Sequence, residues 1–479
     1  WPPTPANFDT RPRSRPGQFL KKLLGIETVE ASLDMPTVSE ETHGRWEVRL
    51  STLGGRVLNS HGRPLTAYPP GRQSKLRMAV DVFDPLAHTA HVLHQLGIQT
   101  SFWDGSTPIL HPLVVGEGIP LTSALWESIR QATHQGIPVL VLAQPPGWTG
   151  GPNLAVDHQV ITTSFPRALH HGVFAGMADG GLSWWRGAHE VVAEGLLPKP
   201  RSAHALVIAD GGQALGGATL LCWQDSLGPV WFCQYPVVAR SAEEPMAAML
   251  LDNLMTALSR PPAQREITCW GPIAAHAVQA VGLVPSTDLS IPSSPDGVLL
   301  IDFTDSEATE AMADHIDALQ QWVRGGGQLW IHGADVHTSP LVSRITGWGP
   351  YLVDVPDDLQ HSALNTNRTR ISDGLSNVDL DWTEDAGMPP LVTKAWKGLP
   401  KSAVLVETAA VDWRNYGAKP EQIKTASTLK SQGWPPAAVL WQRQLDHGLV
   451  LIDQLHWETS GSLGLTILAR IAASLRQKP

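Results

Sequence analysis

An α/β fold is predicted, with two tandem doubly wound domains behind a short β-rich segment, on three observations. From Arg77 onward, strand-like apolar runs alternate with helix-period segments. The same alternation starts afresh after Pro261-Pro262. Landmarks of the first stretch then return in the second in the same order, as expected of an internal repeat. Gly176, Leu182 and Trp184 match Gly374, Leu380 and Trp382 at a constant offset of 198 residues. Gly228–Gln234 matches Gly448–Gln454, and each is followed by a closing helix, Met246–Leu258 or Leu463–Leu475. The domains are expected at 1–75, 76–262 and 263–479.

Residues 1–75 have their own texture. Trp1–Pro16 is rich in Pro and Arg and is expected to be extended or poorly ordered. Val29–Leu33 and Trp46–Leu50 alternate apolar and polar residues, and Gly54-Gly55 before Arg56–Leu58 reads as a turn and a strand. These look like part of a small β structure whose other strands lie upstream of Trp1. The opening Trp1-Pro2-Pro3 suggests a processed or truncated product.

In the first α/β stretch, Met78–Phe83 reads as a strand. Asp84-Pro85 would supply an N-cap and first helical residue for a helix over Leu86–Leu96, which Gly97 stops. Leu113–Val115 is a short strand, Leu121–Gln135 a helix ended by Gly136, and Pro138–Leu142 a run suited to a parallel sheet buried on both faces. In the second stretch Glu266–Trp270 is a strand and Ile273–Val281 a helix ended by Gly282. Val298–Asp302 is the next strand. Ser306 can cap a helix running to Arg324, Gly325–Gly327 ends it, and Gln328–Ile331 is a strand.

The 479 residues carry a net charge of −10, with 42% hydrophobic and 17% charged side chains. No Lys/Arg run suggests a nucleic-acid groove, and no apolar run approaches the roughly 20 residues of a membrane helix. Neither nucleic acid nor membrane is an expected partner. Cys222, Cys233 and Cys269 show no metal-ligand spacing. Trp is over-represented, 19 against 4 Tyr and 8 Phe. Indole faces suit sugar stacking, which marks Trp184, Trp185 and Trp382 as possible sugar contacts. Core packing is the plainer use of indole.

Phe165–Gly176, which includes His170-His171-Gly172-Val173-Phe174, is followed by Leu182-Ser183-Trp184-Trp185-Arg186-Gly187. It resembles a segment of the form HPV(F/L)xGL…DLRxWRG. That segment belongs to C-terminal glutamine-amidotransferase-like domains of large bacterial glycoside hydrolases with family-2-type, β-galactosidase-like architecture. Phe232-Cys233-Gln234 and Glu244-Pro245…Leu251-Asp252-Asn253-Leu254 are similar to the family's CQL…EPxAxxLLxNLL ending. The resemblance covers 77–260 well and 265–479 more loosely, and His171-Gly172 departs from the family's His-Pro. It implies amidotransferase-like domains and an ancillary role beside upstream hydrolase domains of the parent chain. Possible homo-oligomerisation, possible carbohydrate contact and a periplasmic or secreted setting follow by analogy.

Amidotransferase chemistry requires a thiolate on a sharp strand-to-helix turn. The corresponding turns read Leu142–Gly147 and Ile331–Asp335, without Cys, and none of the three cysteines is expected near them. The hydrolase family draws its acid/base from an Asn-Glu dipeptide, which is absent here. Retaining glycosidases also need two carboxylates roughly 5–5.5 Å apart. The chain is therefore expected to be non-catalytic, with no catalytic residue and no cofactor. His332, Asp335 and His337 form a candidate metal cluster at the second turn, weighed against coincidence in a loop, and no metal is expected. His88, His91 and His94 share a helix face and read as a solvated flank. Asp210–Gly217 precedes a strand and reads as a hairpin turn, not a phosphate loop. No GxSxG elbow occurs. The alternatives to an ancillary scaffold are a carbohydrate-binding module using exposed Trp and, more weakly, a metal-dependent hydrolase.

Overall fold

The computed structural model describes residues 38–52, 54–69, 74, 76–120, 122–147, 149–150, 154–178, 180–185, 191–200, 202–224, 227–259, 265–356, 361–366, 368–380, 391–409, 436–458 and 461–476. Val29–Leu33 and Trp382 lie outside them. The chain divides into two compact units, 1–72 and 73–479.

In the first unit β1 (Thr42–Ser51) pairs antiparallel with β2 (Val57–Ala67), with an irregularity at Leu50/Ser51. Gly55 turns the hairpin at φ 82°. The partner strand thus lies downstream of β1, and it runs much further than Arg56–Leu58. The Gly54-Gly55 turn had indicated this neighbour but not its length.

Among its described residues the second unit mixes helices with two large sheets and one two-stranded ladder. In the first sheet β3 (Ala79–Phe83) pairs in parallel with β4 (Gln99–Phe102) on one side and β5 (Leu113–Val115) on the other. Next come β6 (Val139–Val141) and, past a two-residue ladder β7 (Thr149–Gly150) and β8 (Leu154–Ala155), strands β9 (Asp157–Ile161) and β10 (Phe165–Pro166). Then follow β11 (Ala193–Pro198), β12 (Ala205–Gly211), β13 (Gly217–Trp223) and β14 (Val230–Cys233). The path is β10-β12-β13-β14-β6-β5-β3-β4, with β11 and β9 branching from β13. Its helices are α1 (His88–Gln95), α2 (Ser123–His134), α3 (Val237–Arg240) and α4 (Pro245–Ser259). Helix α1 begins later than Pro85 implied. Asp84 Oδ2 instead accepts the Thr89 amide at 2.6 Å, and the chain enters the helix through Ala87 at φ 56°.

In the second sheet β15 (Ile267–Trp270), β16 (Val298–Asp302) and β17 (Gln328–His332) run parallel in that order. After them come β18 (Tyr351–Asp354), β19 (His361–Leu364), β20 (Lys394–Lys397), β21 (Val404–Ala409), β22 (Ala438–Leu445) and β23 (Gly448–Asp453). The path is β15-β16-β17-β23-β22-β20-β18, with β21 and β19 branching from β22. In both sheets a late strand (β14 or β23) adds in parallel beside the third or fourth early strand, and an antiparallel strand (β13 or β22) pairs with its far edge.

Both faces of the second sheet are covered. Val298 and Leu300 point to α5 (Pro272–Ala280) and α9 (Gly461–Arg476), meeting Ala274, Val278, Ile467 and Ile471. The alternate residues Leu299 and Ile301 meet Met312, Ile316 and Leu319 of α6 (Ser306–Arg324) and Val342 of α7 (Ser339–Thr346). The cap of α6 is Asp305, whose side chain accepts the Glu307 amide, one residue earlier than Ser306. In the first sheet Leu113, Val139 and Phe232 pack on Leu125 and Ile129 of α2. Each fully buried side chain of this kind contributes about 1.5–3 kcal/mol.

The repeated landmarks have similar local structure. The 3₁₀ turns Gly172–Phe174 and Arg370–Ser372 sit at the same offset and lead into Gly176 at φ 71° and Gly374 at φ 79°. Leu182 and Leu380, the latter ending the short helix α8 (Asn377–Leu380), are both buried. Trp184 departs from the plainer use of indole in a core: it is 62% exposed, whereas Trp185 is buried and donates to Gly181 O at 2.7 Å. A positive φ of 55° at Trp184 turns its side chain outward and gives the inner place to its neighbour.

The two halves of this unit meet through charged groups. The His170 amide donates to Asp373 Oδ2 at 2.8 Å, and Arg368 Nη2 donates to Arg167 O at 3.2 Å. Arg167 also pairs with Asp210 at 3.2 Å and lies 3.7 Å from Asp379, which Arg470 contacts as well. Burial alone would raise the Asp379 carboxyl, but Arg470 and Arg167 hold it below its ordinary value.

Candidate functional site

Open α/β sheets bind their ligands at the carboxyl ends of the strands. In the second sheet those ends carry a buried ionic chain. Register places His332, the last residue of β17, between Asp302 of β16 and Asp453 of β23. Both flanking positions end apolar strands, so the strands that build the core also deliver the charges.

His332 Nδ1 lies 3.1 Å from Asp453 Oδ2, and Nε2 lies 3.2 Å from Glu458 Oε2. The second contact is an ion-pair distance outside hydrogen-bond geometry. Asp453 Oδ2 also accepts from Trp457 Nε1 at 2.7 Å and Trp330 Nε1 at 3.1 Å, and Oδ1 accepts the Leu455 amide at 2.7 Å. The Trp457 ring lies over the imidazole, centroids 4.1 Å apart. Outward, Glu458 Oε1 meets His456 Nδ1 at 3.1 Å, and His456 Nε2 meets Thr393 Oγ1 at 2.8 Å.

Burial by itself lowers the His332 pKa, but Asp453 and Glu458 outweigh it and push it up to about 10. Burial raises Glu458, and the charge of His332 together with the hydrogen bond to His456 brings it down to about 2. His332 is thus held as a cation between two carboxylates. An imidazolium fixed in this way has no free lone pair for general-base work.

A pocket of about 430 Å³ opens beside Glu458, walled by Pro272, Ile273, Ala277, Trp457 and Leu465. Asp302, which does not line it, lies against Gly271 at the start of α5: a methyl group added at Gly271 would fall 2.8 Å from Asp302 Cβ. Asp302 Oδ1 accepts from the Thr304 amide and hydroxyl, whereas buried Oδ2 has no hydrogen-bond partner among the described residues.

The first sheet carries different groups at the same place. Val141 pairs with Phe232, so Leu142 and Cys233 stand where His332 and Asp453 stand in the second sheet. Cys233 is therefore a neighbour of the Leu142 turn in space, although distant from it in sequence. Its thiol is buried and pushed up to about 12, so it is not a thiolate at neutral pH. Beside it Gln144 donates to Leu142 O at 2.7 Å, and its amide donates to Gln234 Oε1 at 3.3 Å. Glu117, raised by burial to about 7, accepts the Val238 amide at 2.8 Å.

The sequence candidates separate. His332 is locked as described. Asp335 Oδ1 instead accepts the amides of His337 and Thr338, both at 2.8 Å, and His337 is exposed. Their distinct partners distribute the three side chains instead of converging them, and the described residues hold no group of three or more such ligands placed to bind a metal. His88, His91 and His94 are exposed on α1. Of the Trp candidates, Trp184 is at the surface and Trp185 is in the core. Asp453, Trp457, Glu458 and Glu117 were missed. A charged residue closing an apolar strand, as Asp453 does, was the available signal.

No protein-family model matches the sequence, and no curated protein matches it. Partial likenesses to solved structures exist. An exo-β-1,4-mannosidase from an Opitutaceae bacterium is 11% identical over 38% of this chain and 36% of its own, at a TM-score of 0.26. A β-galactosidase from a Rahnella species is 10% identical over 40% of this chain and 33% of its own, at 0.28. A putative ThuA-like protein from Bacteroides uniformis is 11% identical over 40% of this chain and 93% of its own, also at 0.28. Weak structural neighbours thus include glycoside hydrolases and ThuA-like proteins. The chain spans about a third of the length of the two glycosidases. Likenesses this partial leave function to the site itself.

Proposed function

We propose that this chain is a non-catalytic ancillary region of a glycoside hydrolase, built from two diverged amidotransferase-like doubly wound domains. Its work is to scaffold or oligomerise the parent enzyme and to border its substrate cleft. The observation that carries the non-catalytic reading is the occupancy of the two strand-end positions. Leu142 stands at one, and at the other His332 is held by Asp453 and Glu458. The link to glycoside hydrolases rests on the resemblance of the segments around His171, Trp184 and Glu244. Purified chain assayed on aryl glycosides and on glutamine should show no turnover. Activity that survives repurification and disappears on mutating a carboxylate or Cys of this chain would overturn the reading.

A second reading, carbohydrate binding, is favoured by the exposure of Trp184 and its positive φ. Backbone strain at a bulky residue persists where its surroundings impose it, and such sites are often functional. Glycan binding by the chain that is lost in Trp184→Ala would support this reading, and binding indifferent to that change would remove it.

A further inference from the structure

We propose that the pocket beside Glu458 binds a small organic ammonium ion carrying an apolar body. This goes beyond the ancillary role and does not depend on it.

The walls and the base of the pocket differ in character. Pro272, Ile273, Ala277 and Leu465 give aliphatic walls, and the Glu458 carboxylate supplies charge at one side. A ligand that matches must therefore be largely hydrocarbon with one polar end.

The surrounding charges decide the sign of that end. Glu458 is the carboxylate that lines the pocket, and beyond it Asp302 and Asp453 flank His332, the buried cation of this group, from the neighbouring strands. The amino end of α5, at Gly271 and Pro272, adds about half a positive charge. His276, also lining the pocket, is exposed on α5. The balance at the base remains negative, so a carboxylate or phosphate ligand would meet repulsion from Glu458. An ammonium group would meet attraction from the same carboxylate. His332 and His456 hold the Glu458 carboxylate in place, so its orientation is set before any ligand arrives.

Isothermal titration calorimetry of the full chain with three ligands of one shape tests this. Cyclohexylammonium should bind saturably at millimolar concentrations, and cyclohexanol and cyclohexanecarboxylate should not. Glu458→Gln should weaken the binding about tenfold or more, as expected on losing one charge-assisted hydrogen bond. Ala280→Phe, at an exposed lining position, should block it while leaving the core untouched. Should Glu458→Gln fail to fold by circular dichroism, the Ala280→Phe variant decides alone. Absence of saturable binding by cyclohexylammonium, equal binding of the alcohol or the carboxylate, or binding unchanged in Ala280→Phe would each overturn the proposal. These outcomes concern binding only, so they are independent of the turnover assays above.

Discussion

His332 and Asp453 face each other from the ends of neighbouring parallel strands, Nδ1 3.1 Å from Oδ2, with both side chains almost wholly sealed from water. Removing one member of a buried pair strands the other. Asp453→Ala is therefore expected to cost about 3–5 kcal/mol by urea denaturation. It also strips two Trp N–H groups of their acceptor. The double variant His332→Leu with Asp453→Cys copies the pair at Leu142 and Cys233 and should cost less than the single. A single-variant loss under about 1 kcal/mol would show that the pair contributes little.

The same cluster sets a pH signature. His332 is raised to about 10, so its contribution is fully present below pH 6.5 and lost as pH rises toward 10. Glu458 is lowered to about 2, so its contribution is fully present above pH 4.5 and lost as pH falls toward 2. The cluster should stabilise the fold most between about pH 4.5 and 6.5. Stability measured from pH 6.5 to 9 should fall less steeply in His332→Leu than in the parent. Parallel slopes would contradict the assignment of His332 as a buried cation.

Burial pushes Cys222, Cys233 and Cys269 up to about 12. Native protein should react with a thiol reagent only slowly at pH 8, and urea should release all three thiols. Stoichiometric labelling within seconds would identify an accessible thiol and reopen nucleophilic chemistry at Cys233.

Gly374 and Gly176 share a left-handed backbone but not their surroundings. A Cβ at Gly374 would fall 2.5 Å from Leu206 Cδ1, whereas at Gly176 the nearest atom is Met249 Sδ at 3.7 Å. Alanine at Gly176 should cost about 1–2 kcal/mol from the backbone alone. Gly374→Ala should cost more, because the contact with Leu206 adds to it. Equal melting temperatures for the two variants would refute this ordering.

For the tryptophan pair, Trp185→Ala should cost about 3–5 kcal/mol, as expected of a buried indole. Trp184→Gly removes an exposed ring and relieves a positive φ, so it should be neutral or stabilising. A large loss at Trp184 would mean that its ring packs on something in solution.

Most of the parallel strands and the longer helices of the second unit were legible because their apolar periods are long and their ends are marked. The helix ended at Gly325, the strand Val298–Asp302 and the hairpin at Asp210–Gly217 are examples. The ionic chain was less legible because it joins residues more than a hundred positions apart. His332 attracted notice as a possible metal ligand beside Asp335 and His337, which are close in sequence. Its actual partner Asp453 is fixed by the register of β17 against β23, which no local pattern reports. Trp184 and Trp185 were indistinguishable by composition, and one backbone dihedral assigns them opposite roles.

The contacts of His170 with Asp373 and of Arg368 with Arg167 O have a thermal consequence. A break between residues 260 and 264 would leave Asp373 without its histidine and Arg368 without its carbonyl. It would also bring the Arg167–Asp379 approach into contact with water. Heating the intact chain should therefore give one calorimetric transition for the span 73–479, not one for each sheet. Fragments ending or beginning at that break should be poorly soluble when expressed alone and should regain solubility when expressed together.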